Sequence, residues 1–599
     1  MKLVNLKIRN FRGIRELDWN IKGNMICLMG PGDSTKSTIL LALEYLFTPA
    51  WNLAISESDF YQRKTDSPIE ISAIVTDLPE KFLDEDKFGL LLGFFYSPHN
   101  GTVSENQEDD NQPAIMIALT IKDDFEPVWE VISPKSLNYQ NEPRKINSQD
   151  RKLLGVAHIG DYIDSDLTWG RNSAISRLTS ELTNQTNQVP KLLADLERQI
   201  LLALQNPNLN DLDQAIEAFK TNCQLLGIDS GEDLKAGIDP NRVSLRQGAI
   251  ALFDGNLPLT IRGAGTRRLM AMAAHKASVK EGAIILIDEI ENSLEPYRLR
   301  HLIRQLRPQE KQKHQVIFTT HSSVAIEECF ADELFVVRNE NGKIIIHHID
   351  NKLQSVVRKA SECFLARKIV VCEGKTEEGF LIGIEQNYWQ PRRRGRNMKY
   401  QSLAETGVTP VLGEGDSSPQ MAVDLLSLGY EVVFFGDSDK VNDLKVSPEE
   451  MQKQGIAVVL WEKDHTTGEG LAIEQRLCLD LPIDALPELI NLAIELKQKN
   501  DENISEERVR MSVQDQLCEY ANGLFSRDNL FDFISDLDES NSVEFRKLLG
   551  KTAKEKRWFK RRDKGEKLGE FLSRYLDTMN DISTKKTIRE LEARCYDRI

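Results

Sequence analysis

Long hydrophobic runs are missing from this chain of 599 residues, and no apolar stretch is long enough to span a bilayer. The N-terminus alternates like a strand and lacks the apolar core of a signal peptide. The 8 cysteines are scattered without a Cys-x-x-Cys pair, which argues against structural zinc and a disulfide framework. We therefore expect a cytoplasmic protein that does not associate with membranes.

Positive charge is also in short supply. The formal net charge is −17, so the molecule as a whole repels nucleic acid, and any such binding must come from local basic patches. With 40% hydrophobic and 28% charged residues the composition is that of an ordinary globular protein, and the length predicts two or more domains.

The order of strand-like and helix-like patterns predicts an α/β protein with an insertion. Apolar residues at helical spacing in residues 172–226 predict an inserted helical arm, whereas residues 84–112 are largely polar and predict an irregular excursion. Between residues 368 and 461, apolar strands alternate with helices, which predicts a parallel α/β sheet. The tail from residue 507 is largely helical and charged.

Two apolar runs in the last third of the chain stop abruptly at acids. One ends at Glu373, with Glu377 one helical turn further on, and the other ends at Asp437 and Asp439. Ligands of an open parallel sheet lie beyond the carboxyl ends of its strands, and alternate strand residues share a face. Because clustered carboxylates are hard to tolerate without divalent cations, this pattern predicts a metal site.

A glycine-rich turn from Gly30 to Ser37 separates a strand from a helix, as in a phosphate-binding P-loop. Lys36 would reach the outer phosphates and Ser37 would ligate Mg²⁺. One departure is Thr35, which stands where a glycine is expected before the lysine. A strained backbone there costs roughly 1–3 kcal/mol, so we expect ATP to bind and hydrolysis to be slow.

Three further signals support a nucleotide site. Asp288 and Glu289 end an apolar strand as a Walker B pair does, His321 follows the next strand, and Gly263 and Gly265 form a turn that opens an arginine-bearing helix. This set resembles the ABC-type ATPase of the SMC/RecF class, in which two subunits complete each site, so the resemblance implies a dimer or tetramer. The ATP-binding residues that it implies are Gly30, Gly32, Lys36, Ser37, Thr38, Asp288, Glu289, His321, Gly263 and Gly265, with Mg²⁺ on Ser37 and Asp288.

The acidic strand ends together resemble a Toprim domain, and the whole chain resembles the OLD (overcoming lysogenisation defect) nucleases, including those of Gabija and retron systems. The resemblance implies two Mg²⁺ or Mn²⁺ ions and a catalytic lysine in the tail, with Lys564 preferred and Lys560 second. Glu474 matches a further acid of the family. The implied metal ligands and catalytic acids are Glu373, Glu377, Asp437, Asp439 and Glu474.

Two basic runs lie in the second half of the chain, one at residues 392–396 and one at residues 551–567. A charge run is usually a solvated face, but on so acidic a chain we expect phosphate contact. The residues predicted to bind DNA are Arg392, Arg393, Arg394, Arg396 and Lys560.

The predicted organisation is an ABC-type ATPase domain in residues 1–165 and 246–355, interrupted by a helical insertion or dimerisation arm in residues 166–245, and a Toprim nuclease domain with a helical tail in residues 356–599. The resemblance implies an ATP-regulated, metal-dependent DNA endonuclease or nickase in prokaryotic anti-phage defence. A partner of that activity would be a retron reverse transcriptase with its RNA–DNA hybrid, or a helicase-like subunit. Two alternatives stay open, namely an ATP-dependent nucleic-acid clamp or sensor that does not cut, and an RNA-directed Toprim nuclease.

Overall fold

The computed structural model describes most of the chain. The described residues are 1–84, 87–89, 92–98, 102–106, 108, 111–133, 144–160, 164–169, 173–183, 191–192, 195–196, 198–199, 252–278, 283–308, 314–439, 444–499, 505–521, 523–538, 541–579 and 583–597. They divide into two compact units, one of residues 1–26 and 37–320, the other of residues 27–36 and 321–599.

The strands are numbered in chain order. They are β1 Lys2–Phe11, β2 Ile14–Asn20, β3 Met25–Met29, β4 Ile69–Thr76, β5 Phe94–Ser97, β6 Thr102–Ser104, β7 Gln112–Ile121, β8 Pro127–Ile132, β9 Arg144–Lys145, β10 Val156–Ile159, β11 Phe253–Asp254, β12 Leu257–Pro258, β13 Ile284–Ile287, β14 Gln315–Thr319, β15 Leu334–Glu340, β16 Lys343–His348, β17 Lys368–Cys372, β18 Val408–Leu412, β19 Glu431–Gly436 and β20 Ala457–Leu460.

The α-helices are numbered in the same way. They are α1 Lys36–Phe47, α2 Glu80–Leu83, α3 Ser148–Leu153, α4 Ala174–Thr183, α5 Ala264–Ser278, α6 Pro296–Leu306, α7 Ser323–Glu328, α8 Gln354–Lys359, α9 Lys375–Ile384, α10 Gln390–Gly395, α11 Leu403–Thr406, α12 Ser418–Ser427, α13 Pro448–Gln454, α14 Ile473–Asp480, α15 Ala485–Gln498, α16 Glu506–Cys518, α17 Leu530–Ser535, α18 Ser542–Glu555, α19 Arg562–Ser573 and α20 Ser583–Tyr596. A π-helical segment, Glu385–Trp389, joins α9 to α10.

The first unit contains an antiparallel and a parallel set of strands. Strands β2, β1, β4, β7, β5 and β6 lie side by side in that order and pair antiparallel, while β10, β13 and β14 are parallel. All four residues of β13 are buried, as expected for a parallel strand covered on both faces. The strand therefore delivers its next residue, Asp288, to the carboxyl edge of the parallel set.

The second unit contains a four-stranded parallel sheet, among the described residues, in the order β18-β17-β19-β20. Strand β17 is buried at every position, and β19 at every position after its first. These unbroken apolar runs belong to central strands of a sheet with both faces covered. Because β17 and β19 are neighbours and parallel, the residues that follow them meet at one edge.

The tail helices belong to the same core as this sheet. One cluster of buried side chains runs from Val370 and Phe435 of the strands to Leu549 of α18, Leu572 of α19 and Leu591 of α20. The tail is therefore part of the folded unit, and its side chains can contribute to a site at the sheet edge.

Helices α9 and α19 cross at close range through glycines on both sides. A Cβ added to Gly379 or Gly383 would come within 2.0 or 2.2 Å of the carbonyl oxygens of Arg562 and Glu566. A Cβ on Gly565 would come within 2.4 Å of the Thr376 carbonyl oxygen. Gly569 of α19 is equally constrained, with 2.6 Å to the Phe380 carbonyl oxygen. The four glycines, spaced by four residues on each helix, let the two backbones touch.

The prediction of a mixed α/β protein with a parallel sheet in residues 368–461 is confirmed. The irregular excursion predicted for residues 84–112 is wrong in part, because β5 and β6 form there as short strands, in which only two residues of β5 are buried. Most of the predicted insertion at residues 166–245 lies outside the described residues. The domain boundaries stay a prediction. Within the described part of the chain, every helix is too short or too polar to cross a membrane.

We expect Gly383→Ala to destabilise the protein by at least about 2 kcal/mol, because the new methyl group meets backbone that cannot rotate away. Gly395→Ala is the matched control, since a Cβ there meets nothing within 4 Å. Denaturant unfolding of both variants measures the difference. Equal stabilities of the two variants would contradict the close helix crossing.

Candidate functional site

Glu373 and Asp437 lie side by side at the carboxyl ends of β17 and β19. The backbone N–H of Glu373 donates to the Phe435 carbonyl at 2.9 Å, and the N–H of Asp437 donates to Oε2 of Glu373 at 2.9 Å. The sheet register thus brings two predicted site residues into direct contact.

Glu377 and Glu474 are supplied by the first turns of α9 and α14, and both are almost completely buried. The N–H of Ile473, the first residue of α14, donates to Oδ1 of Asp437 at 2.8 Å. The positive end of this helix therefore points at the Asp437 carboxylate, which favours its charged form.

Glycines make room for these carboxylates. A Cβ on Gly436 would lie 2.6 Å from Oε2 of Glu373, and a Cβ on Gly374 would lie 2.6 Å from Oε2 of Glu377. A Cβ on Gly470 would lie 1.9 Å from the Ser438 carbonyl oxygen. The Ser438 carbonyl therefore excludes a side chain at position 470, while Gly374 and Gly436 leave room for the two glutamate carboxylates where they stand.

Several carboxylate oxygens here are buried without a hydrogen-bond partner among the described residues. They are Oε1 of Glu377, Oδ1 of Asp439 and both oxygens of Glu474. A buried polar atom left unpaired costs about 1–3 kcal/mol, and more when it is charged. Unpaired oxygens from three separate segments in one acidic neighbourhood indicate a site that accepts a cation.

The acids raise one another's pKa. Burial, with the charge of Glu474 adding to it, raises the pKa of Glu377 to about 7. Burial and the charge of Glu377 raise the pKa of Asp437 well above its usual value. Burial also raises the pKa of Glu474, although Lys560 opposes this shift. Without a cation the fold therefore favours protonated acids, as expected for like charges in one buried cluster.

Two lysines of the tail face the acids. Desolvation opposes the charged form of Lys560, but the nearby carboxylates, Glu474 foremost, raise its pKa. The Nζ atom of Lys554 on α18 lies 2.6 Å from Oδ2 of Asp439 and 3.1 Å from Oε1 of Gln475. In the sequence Lys554 belongs to the basic run at residues 551–567, and no pattern distinguishes it from the other cations of that run.

The preference for Lys564 over Lys560 does not match the charges that surround the two lysines. Desolvation lowers the pKa of Lys564, and the charges that act on it are those of Arg561, Asp563 and Lys497, outside the acid cluster. Lys564 lies inside α19, whereas Lys560 precedes that helix and reaches the acids. The structure therefore favours Lys560 as the lysine of this site.

A second correction concerns Asp437 and Asp439. Strand β19 ends at Gly436, so strand alternation does not set the direction of either side chain. Asp437 is instead fixed by the N-terminus of α14 and Asp439 by Lys554.

The donor set consists of carboxylate oxygens, which suit Mg²⁺ or Mn²⁺ better than soft metals. In the described residues, no three acidic, histidine or cysteine side chains stand close enough as placed to hold an ion. The unpaired buried oxygens and the glycine-lined space nevertheless fit such an ion, and Glu373, Glu377, Asp437, Asp439 and Glu474 are the residues that would hold it.

The basic run at residues 392–396 is only partly available to DNA. Arg393 is buried, and its guanidinium donates to Oε1 of Glu592 at 2.9 Å and to the Tyr400 carbonyl at 2.8 Å. Arg392 forms an ion pair with Asp577. Arg393 therefore has a structural partner where a surface contact with DNA is predicted, whereas Arg394 and Arg396 are exposed.

The P-loop segment has the backbone strain that its sequence predicts. Thr35 adopts a φ of 70°, in the left-handed region that disfavours a β-branched residue, and Gly30 has a φ of 138°. The Nζ atom of Lys36 donates to the carbonyls of Gly30 and Pro31 at 3.1 and 3.0 Å. Gly32 is exposed, with nothing within 4 Å of an added Cβ. Backbone carbonyls of the loop therefore bind the ammonium group of Lys36.

The two predicted Mg²⁺ ligands of the nucleotide site touch each other. Oγ of Ser37 donates to Oδ1 of Asp288 at 3.0 Å, and Oγ1 of Thr319 donates to the same oxygen at 2.5 Å. The Glu289 N–H donates to Oγ1 of Thr319 at 2.8 Å, and Glu289 has a φ of 45°. This arrangement of hydroxyl and carboxylate oxygens fits Mg²⁺.

The remaining predicted nucleotide residues differ in their surroundings. Gly265 packs against Ser293, whose carbonyl oxygen would lie 2.3 Å from a Cβ, while Gly263 precedes α5 with open space around it. Thr38 is half-buried in the first turn of α1, and His321 is exposed just after β14.

Arg268 belongs to the arginine-bearing helix that the glycine turn opens, and it is not among the predicted ATP-binding residues. It is buried and donates to the carbonyls of Asp288 and Glu289 at 2.6 and 2.8 Å. Its place in an arginine-bearing helix after a glycine turn is the signal that could have found it.

Two family models match parts of the chain. The model described as "AAA domain, putative AbiEii toxin, Type IV TA system" matches residues 169–327, and the model described as "AAA ATPase domain" matches residues 1–88. These segments include the P-loop, Asp288 and His321. The chain therefore carries an AAA-type ATPase domain, and ATP with Mg²⁺ is the cofactor of such a domain.

No curated protein sequence matches the chain. Among solved structures, the SMC head domain from Thermotoga maritima is 14% identical, with a TM-score of 0.27 over 58% of this chain and 100% of that chain. The Pyrococcus furiosus Smc head domain bound to the C-terminal domain of ScpA is 12% identical, with a TM-score of 0.32 over 59% and 98%. The recombination mediator RecF is 11% identical, with a TM-score of 0.30 over 58% and 98%. TM-scores of this size support no inference about this chain.

We expect the metal-free protein to lose stability as the pH rises from about 4.5 to 8. The pKa of Glu377 is about 7 in the folded protein, which is above its value in the unfolded chain, so the folded state binds this proton more tightly. The stability that this proton contributes is present at low pH and is lost as the pH rises through about 7. Glu377→Gln removes part of this loss and raises the midpoint of thermal unfolding at pH 8 by several degrees. Mg²⁺ or Mn²⁺ at pH 8 stabilises the wild type more than the variant.

Scanning calorimetry in EDTA and in each metal measures these shifts. Glu449→Gln, which changes an exposed acid of α13, is the matched control and leaves the pH dependence unchanged. A pH dependence that is the same in wild type and Glu377→Gln would argue against a strained acid cluster.

Proposed function

We propose that the chain is an ATP-regulated, divalent-metal-dependent DNA endonuclease or nickase of the OLD type, acting in prokaryotic anti-phage defence. One observation carries the nuclease part of this proposal. Buried carboxylates with unpaired oxygens gather at the carboxyl edge of a parallel sheet, beside lysines of the tail.

The site offers the groups that phosphodiester hydrolysis requires. Metal ions held by the acids, when bound, activate water and stabilise the leaving oxygen. Lys560 places a positive charge beside the acids, where it stabilises the additional negative charge of a phosphate under attack. Lys554 neutralises Asp439 and exchanges that contact for one with the phosphate backbone of the substrate.

The ATPase domain supplies regulation in this proposal. ATP binds through Lys36 and the Mg²⁺ ligands Ser37 and Asp288, and the strained Thr35 keeps hydrolysis slow. An ABC-type arrangement completes each nucleotide site with a second subunit, so we propose a homodimer or homotetramer.

DNA is the proposed substrate because local positive charge adjoins the acids on an otherwise acidic chain. The defence role rests on the resemblance to OLD nucleases. The description of one matched family names a toxin of a toxin–antitoxin system, which is compatible with such a role. A retron reverse transcriptase with its RNA–DNA hybrid, or a helicase-like subunit, is the proposed companion.

A second candidate is an ATP-dependent nucleic-acid clamp or sensor that does not cut. One observation favours it, since the described acids as placed do not converge on a single ion and Asp439 is already paired with Lys554. A third candidate, an RNA-directed Toprim nuclease, shares the same acids and differs in substrate alone.

We expect the protein to cut or nick plasmid DNA in Mg²⁺ or Mn²⁺ and to leave structured RNA intact. Asp437→Asn removes a central acid without changing its size and should lower the cleavage rate by at least about 100-fold. Asp528→Asn is the control, because this aspartate is 92% exposed. Absence of DNA cleavage in every metal, with ATP-driven binding preserved, would favour the clamp, and cleavage of RNA alone would favour the third candidate.

The two tail lysines give a matched pair in the same assay. Lys560→Ala should lower the turnover rate by roughly 10²–10³-fold, because it removes a cation on which the charges of Glu474, Asp437 and Glu377 act. Lys564→Ala should change turnover by less than about threefold, since its charged neighbours lie outside the cluster. The reverse order of effects would restore Lys564 as the catalytic lysine.

A further inference from the structure

A cationic cavity of about 190 Å³ lies in the second unit, between the segment around α10 and helix α20. Its wall carries five cations and one acid among the described residues. These charged residues are Arg392, Arg393, Arg396, Lys585, Arg589 and Glu592. The rest of the wall is aromatic and aliphatic, with Tyr388 as the aromatic residue.

The charges of this cavity are incompletely balanced by neighbouring acids. Glu592 pairs with Arg393 at 2.9 Å and Asp577 pairs with Arg392. The Nζ atom of Lys585 donates to a neutral carbonyl, that of Met579, at 2.9 Å. Arg396 is exposed, and its backbone N–H donates to the Arg392 carbonyl at 3.0 Å, while its guanidinium forms no ion pair with a described acid. The wall therefore keeps an excess of positive charge that an anion can neutralise.

A rare backbone feature shapes the same wall. The π-helical segment Glu385–Trp389 interrupts the continuous helical run from α9 to α10 and carries Tyr388. Such segments are uncommon and frequently occur at functional sites. The Tyr388 ring lies 4.6 Å from the guanidinium of Arg392, and its hydroxyl donates to Oδ1 of Asp577 at 3.0 Å. Ring and guanidinium are thereby held in fixed positions.

The size and chemistry of the cavity select the ligand. Drug-sized sites occupy roughly 300–1,000 Å³, so a cavity of about 190 Å³ accommodates a phosphate group with part of its ester. Guanidinium groups bind phosphate oxygens in a bidentate manner, and the aromatic and aliphatic wall suits the sugar or base attached to the phosphate. A phosphate monoester on a nucleotide meets both requirements.

We propose that this cavity binds the terminal phosphate monoester of a nucleotide, either at the 5′ end of a nucleic-acid strand or on a free mononucleotide. The strand-end form deepens the proposed nuclease function and rests on it. Tyr388 lies eleven residues beyond Glu377 in one helical run, roughly 16 Å along its axis. Hydrolysis of a phosphodiester also leaves a phosphate monoester on one of its two products, so the reaction itself generates this group.

The test measures binding in EDTA, so that the outcome does not depend on cleavage. Fluorescence anisotropy compares a single-stranded oligonucleotide carrying a 5′-phosphate with the same strand carrying a 5′-hydroxyl. Calorimetry with AMP tests the free mononucleotide. All measurements use the full chain in a Lys36→Ala background, because the P-loop is a second phosphate-binding segment.

We expect the 5′-phosphate to strengthen binding at least about tenfold, or AMP to bind directly, with each result identifying the source of the phosphate. The variant Lys585→Ala/Arg589→Ala abolishes this effect. The variant Lys586→Ala/Arg594→Ala keeps it, because it removes the same charge from α20 at exposed positions outside the cavity wall. Thermal unfolding verifies that both variants fold.

Equal affinities for phosphate and hydroxyl ends, together with no binding of AMP, would overturn the proposal. So would a phosphate preference that survives in the Lys585→Ala/Arg589→Ala variant. A protein that shows the preference but never cleaves DNA would contradict the proposed nuclease function and leave the phosphate pocket standing.

Discussion

Mutual repulsion among buried carboxylates is the constraint on which the second unit depends. Glu373 and Asp437 touch because two parallel strands end at the same level, while Glu377 and Glu474 are brought in by helix N-termini. Two features reduce the repulsion between these acids. Glycines leave room for the carboxylate oxygens, and Lys554 lies next to Asp439. Several oxygens still lack partners, so the acids have been gathered at the expense of stability. Acids with strongly shifted pKa values are typical of functional sites, so a binding or catalytic role accounts for this arrangement.

The tail turns the sheet edge into a candidate catalytic site. Its helices share the hydrophobic core of the parallel sheet, so the segment before α19 is held rigidly beside the acids. A cation that must stabilise a transition state has to be held in place before the reaction, and a packed helix achieves this better than a free loop. The same tail also forms one side of the cationic cavity through α20.

The sequence allowed the parts governed by local rules to be predicted. The apolar runs of β17 and β19 and their acidic ends are visible in the chain, and the structure places them in neighbouring parallel strands. Properties set by long-range packing were missed. Choosing Lys560 over Lys564 requires knowing that α19 begins at Arg562, and the burial of Arg393 depends on Glu592, which is 199 residues away. The short strands β5 and β6 pair at an edge, where polar residues are tolerated and the apolar signal is weak.

The glycine-lined crossing of α9 and α19 has a consequence for how the lysine can vary. Two backbones in direct contact interlock only where glycine faces carbonyl, so sliding by a fraction of a turn would drive larger residues into the main chain. Helix α19 can therefore pack against α9 only in certain registers, and the intermediate registers are excluded. The distance between Lys560 and the acids cannot be tuned gradually by drift in the tail, and any change in it must come as a jump of a whole helical turn.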